Sequence, residues 1–260
     1  MLKGLYAGAS GMIANQLRLD VVANNLSKIQ QTGFKKDRAT MTSFSEMLHS
    51  EATRTADLAA DGAYVPPERA PVVLGVECGG SYSVFSQGEL QHTENPLDVA
   101  LDGPGFFVVS DVNGNQYLTR DGAFTLDPAG TLITGSGHTV VDDAGIPITI
   151  RGQDVTILED ASVMVDGRSI ARLKVVEAPG SSRLLKFRDG LFVLRDPGFE
   201  PQEAIETAVR QGYLERSNVN TVSEMVEMIQ LSRLFETNQK VVRIYDTILA
   251  RAINDLGKIG

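Results

Sequence analysis

The start of the chain places apolar side chains at alternating steps of three and four. This spacing is the seam of a coiled coil, and it predicts a helix over residues 2–30. Gly8 and Gly11 weaken the first turns of that helix by about 1 kcal/mol each relative to alanine. Gly33 follows the helix as a left-handed terminator. The seam consists of Leu2, Leu5, Ala9, Met12, Gln16, Leu19, Ala23 and Leu26.

The end of the chain repeats this pattern. Thr221 and Glu224 have the spacing of a capping box, and the stripe after them predicts a helix that ends near Gly257. Such a helix is roughly 50 Å long at a rise of about 1.5 Å per residue. Seams at both chain ends can pair with each other, with other subunits, or with both. The second seam consists of Leu231, Leu234, Asn238, Val241, Tyr245, Ile248 and Ala252.

Between the two helices the pattern changes to short apolar runs separated by turn residues. The runs recur about every 8 to 12 residues, which is typical of an irregular sandwich or barrel. Four dipeptides accept the positive φ of tight hairpins. They are Asn113-Gly114, Asp121-Gly122, Asp166-Gly167 and Asp189-Gly190. The predicted strands cover residues 81–85, 105–110, 130–134, 138–141, 146–150, 155–158, 162–165, 171–177 and 191–194.

These patterns predict an α+β chain in three parts. A mainly-β central domain, residues 79–219, is flanked by long N- and C-terminal helices that form a coiled-coil-like assembly domain. The helical domain contains residues 1–33 and 220–260. Residues 34–78 form an extended, partly ordered connector, with a short helical piece over residues 40–49.

The composition removes several classes of function. Hydrophobic residues make up 42% and charged residues 22% of the 260, which is normal for a folded protein. The net charge of -9, without a dense basic face, disfavours nucleic-acid binding. No run approaches the ~18 apolar residues of a membrane span, so no membrane insertion is expected. Lys3 and the small residues after it imitate a signal peptide, but the apolar stretch between them is too short for a cleavable signal.

Chemistry-bearing side chains form no coherent site in the sequence. The single Cys78 cannot form a disulfide within the chain. The histidines lack the spacing of metal ligands. Several aspartates have the chemistry of a glycosidase carboxylate pair, but adjacent turns explain each of them without catalysis. The sequence therefore predicts no catalytic residue, no cofactor and no metal. The side chains considered are His49, His92, His138, Asp98, Asp102, Asp121 and Asp127.

Three segments resemble the rod and hook proteins of the bacterial flagellar basal body, the flagellar axial family. The stretches "MLKGLYAGASGM", "VVANNLSKI" and "TGFKK" resemble its N-terminal motif. The stretches "NPLDVALDGPGFFVV" and "YLTRDGAFTLDPAGTLIT" resemble its central domain. Finally, "QGYLERSNVNTVSEMVEMIQLSRLFETNQKVVRIYDTIL" resembles its C-terminal motif. The three motifs stand in the family's order and reach both chain ends.

The resemblance implies an axial protein of the rod, which crosses the cell envelope. Its terminal helices would pack into the inner tube of a helical assembly, with the β-rich middle as the outer layer, and it would transmit torque without catalysis. Its partners would be itself, other rod and hook proteins, and the flagellar type III export apparatus, which reads no cleavable signal. The ending "ARAINDLGKIG" and the intact C-terminal motif favour the distal-rod type. The stretches "PLDVALDGPGFF" and "RLKVVEAPGSSRLLKFRDGLF" favour the proximal-rod type.

The seams and the resemblance together define an expected assembly interface. Asn24 and Asn25 would supply amide hydrogen bonds where chains meet, because a polar seam residue fixes helix register. Gly33 would let the chain leave the tube. Isolated helices draw most of their stability from packing, so both termini are expected to be disordered in the free monomer. The expected interface residues are Leu5, Met12, Leu19, Asn24, Asn25, Leu26, Gly33, Asn218, Asn220, Leu231, Leu234, Asn238, Val241, Tyr245 and Ile248.

Two other functions fit the patterns. One is a carbohydrate-binding or hydrolysing β-domain on a helical oligomerisation stalk. It would need an exposed aromatic platform or a carboxylate pair in a cleft, and aromatic residues make up only 6% of the chain. The other is a different tubular assembly component, such as a hook or phage-tail protein. That protein would share the seams but not the "ANNL" and "SNVN" motifs.

Overall fold

The chain folds into two compact units. A computed structural model describes residues 2–43, 76–152, 154–177, 184–188, 190–195, 201–204 and 206–256. We call the first unit the helical unit; it comprises Met1–Asn24, Arg38–Ser81 and Val222–Gly260. The second, the β unit, comprises Asn25–Asp37 and Tyr82–Thr221.

The two long helices predicted from the sequence are present. Helix α1 spans Leu2–Ser27, and helix α2 spans Thr221–Leu256, beginning at the expected capping residue. Strands β1 (Asp37–Ser43) and β2 (Val76–Ser83) pair as a two-stranded ribbon. Residues 40–43 were expected to begin a helical piece, and they form a strand instead. The β-branched Thr40 and Thr42 favour extended backbone there. Residues 44–49 of that prediction lie outside the described residues.

The β unit is built from short strands. In chain order they are β3 (Leu90–His92), β4 (Val99–Asp102), β5 (Phe106–Ser110), β6 (Gln116–Thr119), β7 (Phe124–Leu126), β8 (Leu132–Thr134), β9 (Thr139–Val140), β10 (Val155–Ile157), β11 (Ser162–Val165), β12 (Arg168–Arg172), β13 (Val175–Glu177), β14 (Leu184–Lys186), β15 (Leu191–Leu194), β16 (Gln202–Glu203), β17 (Ala208–Gln211) and β18 (Tyr213–Glu215).

These strands form open antiparallel sheets. In the described part of the chain, the largest sheet follows the order β14-β15-β6-β5-β9-β8-β7, and β13 joins it beside β5 and carries β16. Strands β10, β11 and β12 make a second sheet, and the pairs β17-β4 and β18-β3 make two smaller ones. The mainly-β middle is confirmed, and the sheets do not close into a barrel.

Strand β5 lies at the centre of the apolar core. Phe107 and Val109 point into one buried cluster, whereas Phe106 and Val108 point into another. A strand that is buried on both faces reads as a continuous apolar run, and this explains the sequence "GFFVV". The first cluster contains most of the buried apolar side chains among the described residues.

The apolar pattern located some strands well and missed others. Strands β11 and β15 match their predicted ranges residue by residue. The run 171–177 divides into the end of β12 and the whole of β13. The run 146–150 makes only isolated bridges. Short strands with polar residues, such as β3 and β6, carry too few apolar positions to show a period of two.

The turn dipeptides fall into two kinds. Asp166 (φ 50°) and Gly167 (φ 77°) both adopt positive φ, as a type I′ hairpin between β11 and β12 requires. Gly122, in contrast, is needed for close approach. A Cβ atom on it would lie 1.6 Å from the Val99 carbonyl oxygen, and its own carbonyl accepts a hydrogen bond from the Val99 N–H at 3.0 Å.

Candidate assembly site

Glycines on α1 allow α2 to approach closely within the helical unit. Three glycines, spaced four and three residues apart, face large side chains of α2. A Cβ atom on Gly4 would lie 2.5 Å from the Tyr245 ring. The facing pairs are Gly4 with Tyr245, Gly8 with Val242, and Gly11 with Asn238. The glycines that weaken α1 as an isolated helix therefore supply the space into which α2 packs.

The pairing of the two helices is antiparallel. Contacts made by α1 residues of increasing number fall on α2 residues of decreasing number. At the far end, Arg18 forms an ion pair with Glu227 at 2.9 Å. Both side chains are partly exposed, so this pair contributes little to stability. The two terminal helices thus pair with each other, but through the glycines of α1 and not through its predicted seam.

This pairing uses only half of the α2 seam. Leu231 is buried, and Asn238 and Tyr245 face the glycines of α1. The alternate seam positions stay in solvent, with exposed fractions of 48% for Leu234, 36% for Val241 and 46% for Ile248. These three residues are seven apart, and we call them the α2 stripe.

Helix α1 also leaves apolar side chains exposed. Tyr6 and Ile13 are both 65% exposed, and Leu17 is 44% exposed. Tyr6 and Ile13 are again seven residues apart, with Leu17 one turn further along. We call these three residues the α1 stripe. It lies one position beyond the seam expected from the sequence, because the glycines and not the leucines of α1 face α2.

The expected interface residues of α1 differ in their burial. The side chains of Leu5, Met12 and Leu19 are half-buried, as is Leu26 within the β unit. Asn24 is exposed. Asn25 is buried, and its amide exchanges two hydrogen bonds of 2.9 Å with the backbone of Asp37. Both amide atoms of Asn25 are thus bonded within the chain.

In the β unit, the "TGFKK" and "SNVN" motifs lie side by side. The Gly33 N–H donates to the Glu215 carbonyl at 2.8 Å, and the Asn218 N–H donates to the Phe34 carbonyl at 3.3 Å. The Asn218 side chain accepts from the Lys36 N–H at 2.8 Å. We call this arrangement of residues 33–36 and 215–218 the clasp. Asn220, two residues later, is exposed.

Gly33 has a positive φ of 64°, in agreement with the left-handed residue expected after the helix. It stands six residues beyond the last residue of α1 and not directly after it. A Cβ atom on Gly33 would lie 2.3 Å from the Arg120 carbonyl carbon. Both observations require glycine at this position.

Three buried charges hold the clasp. Lys35 Nζ donates to Glu215 Oε1 at 2.6 Å, and Arg120 Nη1 donates to Glu215 Oε2 at 3.3 Å. All three side chains are at most 3% exposed. Burial lowers the pKa of Lys35 and that of Arg120, and the Glu215 carboxylate partly offsets this for both. We call these residues the triad.

The remaining polar atoms of the triad are mostly satisfied. Lys35 Nζ also donates to the Ser86 carbonyl at 2.9 Å, and Arg120 Nη2 donates to the Gly103 carbonyl at 2.6 Å. Arg120 lies over the Phe106 ring at 4.9 Å. Among buried side-chain atoms of the described residues, only Arg120 Nε has no hydrogen-bond partner. Two cations therefore share one carboxylate, and burial disfavours the charged form of both cations.

Further ionic contacts flank the triad. Lys186 Nζ donates to Asp37 Oδ2 and to the Lys35 carbonyl, both at 2.9 Å, and lies over the Phe34 ring. Thr32 donates to the Asp121 carboxylate. Burial raises the pKa of Asp121, although the hydrogen bonds from Thr32 and from the Ala123 backbone oppose this.

The sequence contains these three charged residues, but no pattern in it predicts that they form ion pairs. Lys35 stands in the quoted motif "TGFKK", but Arg120 directly follows β6 and Glu215 ends β18, where polar residues are ordinary. A single buried charge shows no periodicity in the sequence. Glu215 is also 95 residues from Arg120 and 180 residues from Lys35 in the chain. Only the fold could bring them together.

The side chains considered for catalysis have structural partners instead. Asp98 accepts from Asn95, Asp102 pairs with Arg210, and Asp127 caps a turn through backbone N–H groups. His92 packs against Tyr213, and His138 bonds Ser136. His49 lies outside the described residues. Within the residues that the structure describes, no three His, Cys, Asp or Glu side chains form a group that could hold a metal ion.

The geometry thus defines a class of protein with paired terminal helices that keep exposed apolar stripes, and with a β unit that has its own apolar core. None of its described helices is long and apolar enough to cross a membrane.

Comparison with known proteins gives the family. Three family models match, namely "Flagella basal body rod protein" over residues 5–35, "Flagellar hook protein FlgE/F/G D1 domain" over residues 100–165, and "Flagellar basal body rod FlgEFG protein C-terminal" over residues 210–256. The flagellar basal-body rod protein FlgF of Caulobacter vibrioides is 33% identical over 261 residues, which cover 100% of both chains. The flagellar basal-body rod protein FlgG of Bacillus subtilis is 32% identical, over 98% of this chain and 99% of its own.

A further FlgG, from Agrobacterium fabrum, is 32% identical over 94% of this chain and 96% of its own. The chain belongs to the family of flagellar basal-body rod proteins, which confirms the resemblance seen in the three motifs. Its place is the flagellar basal body.

Proposed function

We propose that this chain is a structural subunit of the flagellar rod that assembles through the exposed stripes of α1 and α2. The α2 stripe carries the proposal. Leu234, Val241 and Ile248 repeat every seven residues and stay in solvent after α1 has packed on α2. Apolar side chains left in water at a heptad spacing favour a further helix as partner.

The partner is a terminal helix of another subunit. Further copies of this chain and other rod proteins carry such helices, so each added subunit can cover the stripe of the one before. The stripe of one subunit is covered by a different surface of the next, so one uncovered surface remains at each end of the assembly. Such a contact permits an open helical polymer. The coiled-coil-like packing expected from the sequence then lies between subunits as well as within one.

The proposed interface keeps most of the residues expected from the sequence. Leu234, Val241 and Ile248 contribute directly. Leu5, Met12 and Leu19 are half-buried on α1 in the helical unit, Leu26 is half-buried in the β unit, and Asn24 and Asn220 are exposed. Four residues serve contacts inside the chain: Asn25, Gly33, Asn218 and Leu231. Asn238 and Tyr245 serve the pairing with α1.

The wider role follows from this assembly. Residues 1–33 and 220–260 form the inner tube, residues 79–219 form the outer layer, and the polymer transmits torque from the motor to the hook without catalysis. Subunits reach the growing rod through the flagellar type III export apparatus. FlgF and FlgG are both among the similar proteins, so the proximal-rod and distal-rod types both stay open.

The test is sedimentation of the full chain over a concentration series, with and without Leu234→Asp and Ile248→Asp together. Each stripe residue contributes about 1.5–3 kcal/mol when it is fully buried, so the double variant should weaken association by at least about 100-fold. The thermal transition of the β unit should stay in place, because neither residue belongs to its core clusters. Leu19→Asp tests the half-buried flank in the same way.

Ser232→Asp is the matched control. Ser232 is exposed on the same helix, away from the stripe, and its hydroxyl bonds only the Met228 carbonyl one turn earlier. This variant should associate like the unchanged chain. If the stripe variant also associates normally, the stripes are not the assembly surface. Loss of the β unit's fold in the stripe variant would instead show that α2 belongs to the core.

A further inference from the structure

The triad joins the two chain segments that lead to the helices. Lys35 stands in the segment that follows α1, and Glu215 stands in the segment that precedes α2. Arg120, from the centre of the chain, holds the other oxygen of the same carboxylate. The three charges therefore join two segments of the β unit that lie close in sequence to its limits at Asp37 and Thr221.

Stability does not account for burying these charges. Moving two cations and one carboxylate out of water is costly, and well-packed apolar side chains of similar size are often equally stable or more so. Here the charge count is unbalanced, and Arg120 Nε has no hydrogen-bond partner among the described residues. The ring of Phe106 already lies against the guanidinium, although apolar side chains would not replace the bonds that the triad makes to the Gly103 carbonyl and the Gly88 N–H.

The charges do discriminate between alternative registers of the clasp. A slip by one residue would bring Leu214 or Arg216 opposite Lys35 in place of Glu215. Leu214 would leave the buried cation unpaired, and Arg216 would oppose it with a like charge. A shift of two residues in the irregular segment 33–36 would bring Asp37 against Glu215. Each alternative is penalised strongly at a buried site.

We propose that Lys35, Arg120 and Glu215 are positioning residues for assembly: their charges select one register of residues 33–36 against residues 215–218, and rod assembly requires that register. Because these segments continue into α1 and α2, the register fixes the spacing at which the chain leaves the β unit towards each helix. This inference rests on the proposed assembly through the helix stripes.

The central experiment replaces the triad by apolar side chains, with Lys35→Met, Arg120→Leu and Glu215→Leu in one full-length chain. Three properties are measured: thermal melting, hydrogen exchange at the Gly33 and Asn218 amides, and swimming of cells that carry this chain as their only copy. We expect melting to shift by only a few degrees. The two clasp amides should lose protection by about 100-fold or more, and the swimming halo should disappear.

Two further variants serve as controls for this experiment. Lys35→Arg keeps a buried cation that can reach Glu215, so it should retain both protection and swimming. Asp102→Leu with Arg210→Met removes an exposed ion pair between β4 and β17, and should change none of the three properties.

Either of two results overturns the inference. The apolar triad variant can keep its clasp protection and its swimming, in which case the charges select nothing. It can also lose the fold of the β unit, in which case the triad serves stability. If Leu234→Asp with Ile248→Asp blocks association while the apolar triad variant swims normally, only this inference fails. If the stripe variant associates normally, the proposed function fails first.

Discussion

The helical unit and the β unit use their apolar residues in opposite ways. Among the described residues, only three buried apolar side chains belong to the helical unit, namely Ala14, Val22 and Leu231. The β unit holds all the others, including the two core clusters around β5. Most of the large apolar side chains left exposed, in contrast, lie on α1 and α2.

This difference separates the two tasks of a subunit that must both fold and polymerise. The β unit buries its apolar surface within one chain, and we expect it to be stable alone. The helices bury few apolar side chains, and in the proposed assembly a neighbour covers their exposed apolar surface. Apolar helix surface that was already buried inside the subunit could not form contacts with a neighbouring subunit.

The largest effect is expected in hydrogen exchange of the dilute, full-length monomer. Amides over residues 1–30 and 220–260 should exchange at least about 100-fold faster than those of β5, because so few apolar side chains hold the helices. Raising the concentration until the chain associates should slow exchange in the helices and leave β5 unchanged. Strong protection of both termini in the dilute monomer would contradict the comparison.

A glycine substitution should have opposite effects in the two units. Gly33→Ala should destabilise the β unit by on the order of 3 kcal/mol, because φ is positive and the new Cβ meets the Arg120 backbone. Gly11→Ala should be neutral or stabilise α1 by up to about 1 kcal/mol. The new Cβ there meets only the flexible end of Asn238, at 3.1 Å. Denaturant unfolding followed at both units measures the two effects.

Gly114→Ala separates the φ effect from crowding. Gly114 also has a positive φ, 83°, but a Cβ there would meet nothing within 4 Å. Its substitution should cost about 1 kcal/mol. Equal costs at Gly33 and Gly114 would show that the clasp is not tightly packed.

The smallest effect concerns pH and is specific to the β unit. The pKa of Asp121 is raised by burial, so the folded chain holds this proton more tightly than the unfolded chain. Its contribution to the free energy of unfolding therefore falls as pH rises from the ordinary Asp pKa of about 3.9 through the raised value. Asp121→Asn keeps an oxygen that accepts from Thr32 and Ala123, and should remove this fall. Denaturant unfolding at several pH values checks the slope; identical slopes in both chains would exclude Asp121 as its source.

The sequence predicted the helices better than the strands. Heptad spacing and the capping pair placed α2 from its first residue, because these signals are local and repeat over many turns. Strands such as β4 and β18 were missed, since each is short and is defined by pairing with a distant strand. Leu234 and Tyr245 belong to one seam in the sequence, and only packing against α1 separated the exposed residue from the covered one.

The sequence by itself determined the two terminal helices, the β-rich middle and the family, because periodicity and contiguous motifs are written along the chain. Only the tertiary structure decided which face of each helix is covered, that Asn25 and Asn218 serve the chain's own backbone, and that Lys35, Arg120 and Glu215 share one buried site. These features depend on residues far apart in the chain that come together only after folding, and no local pattern records which charge will meet which.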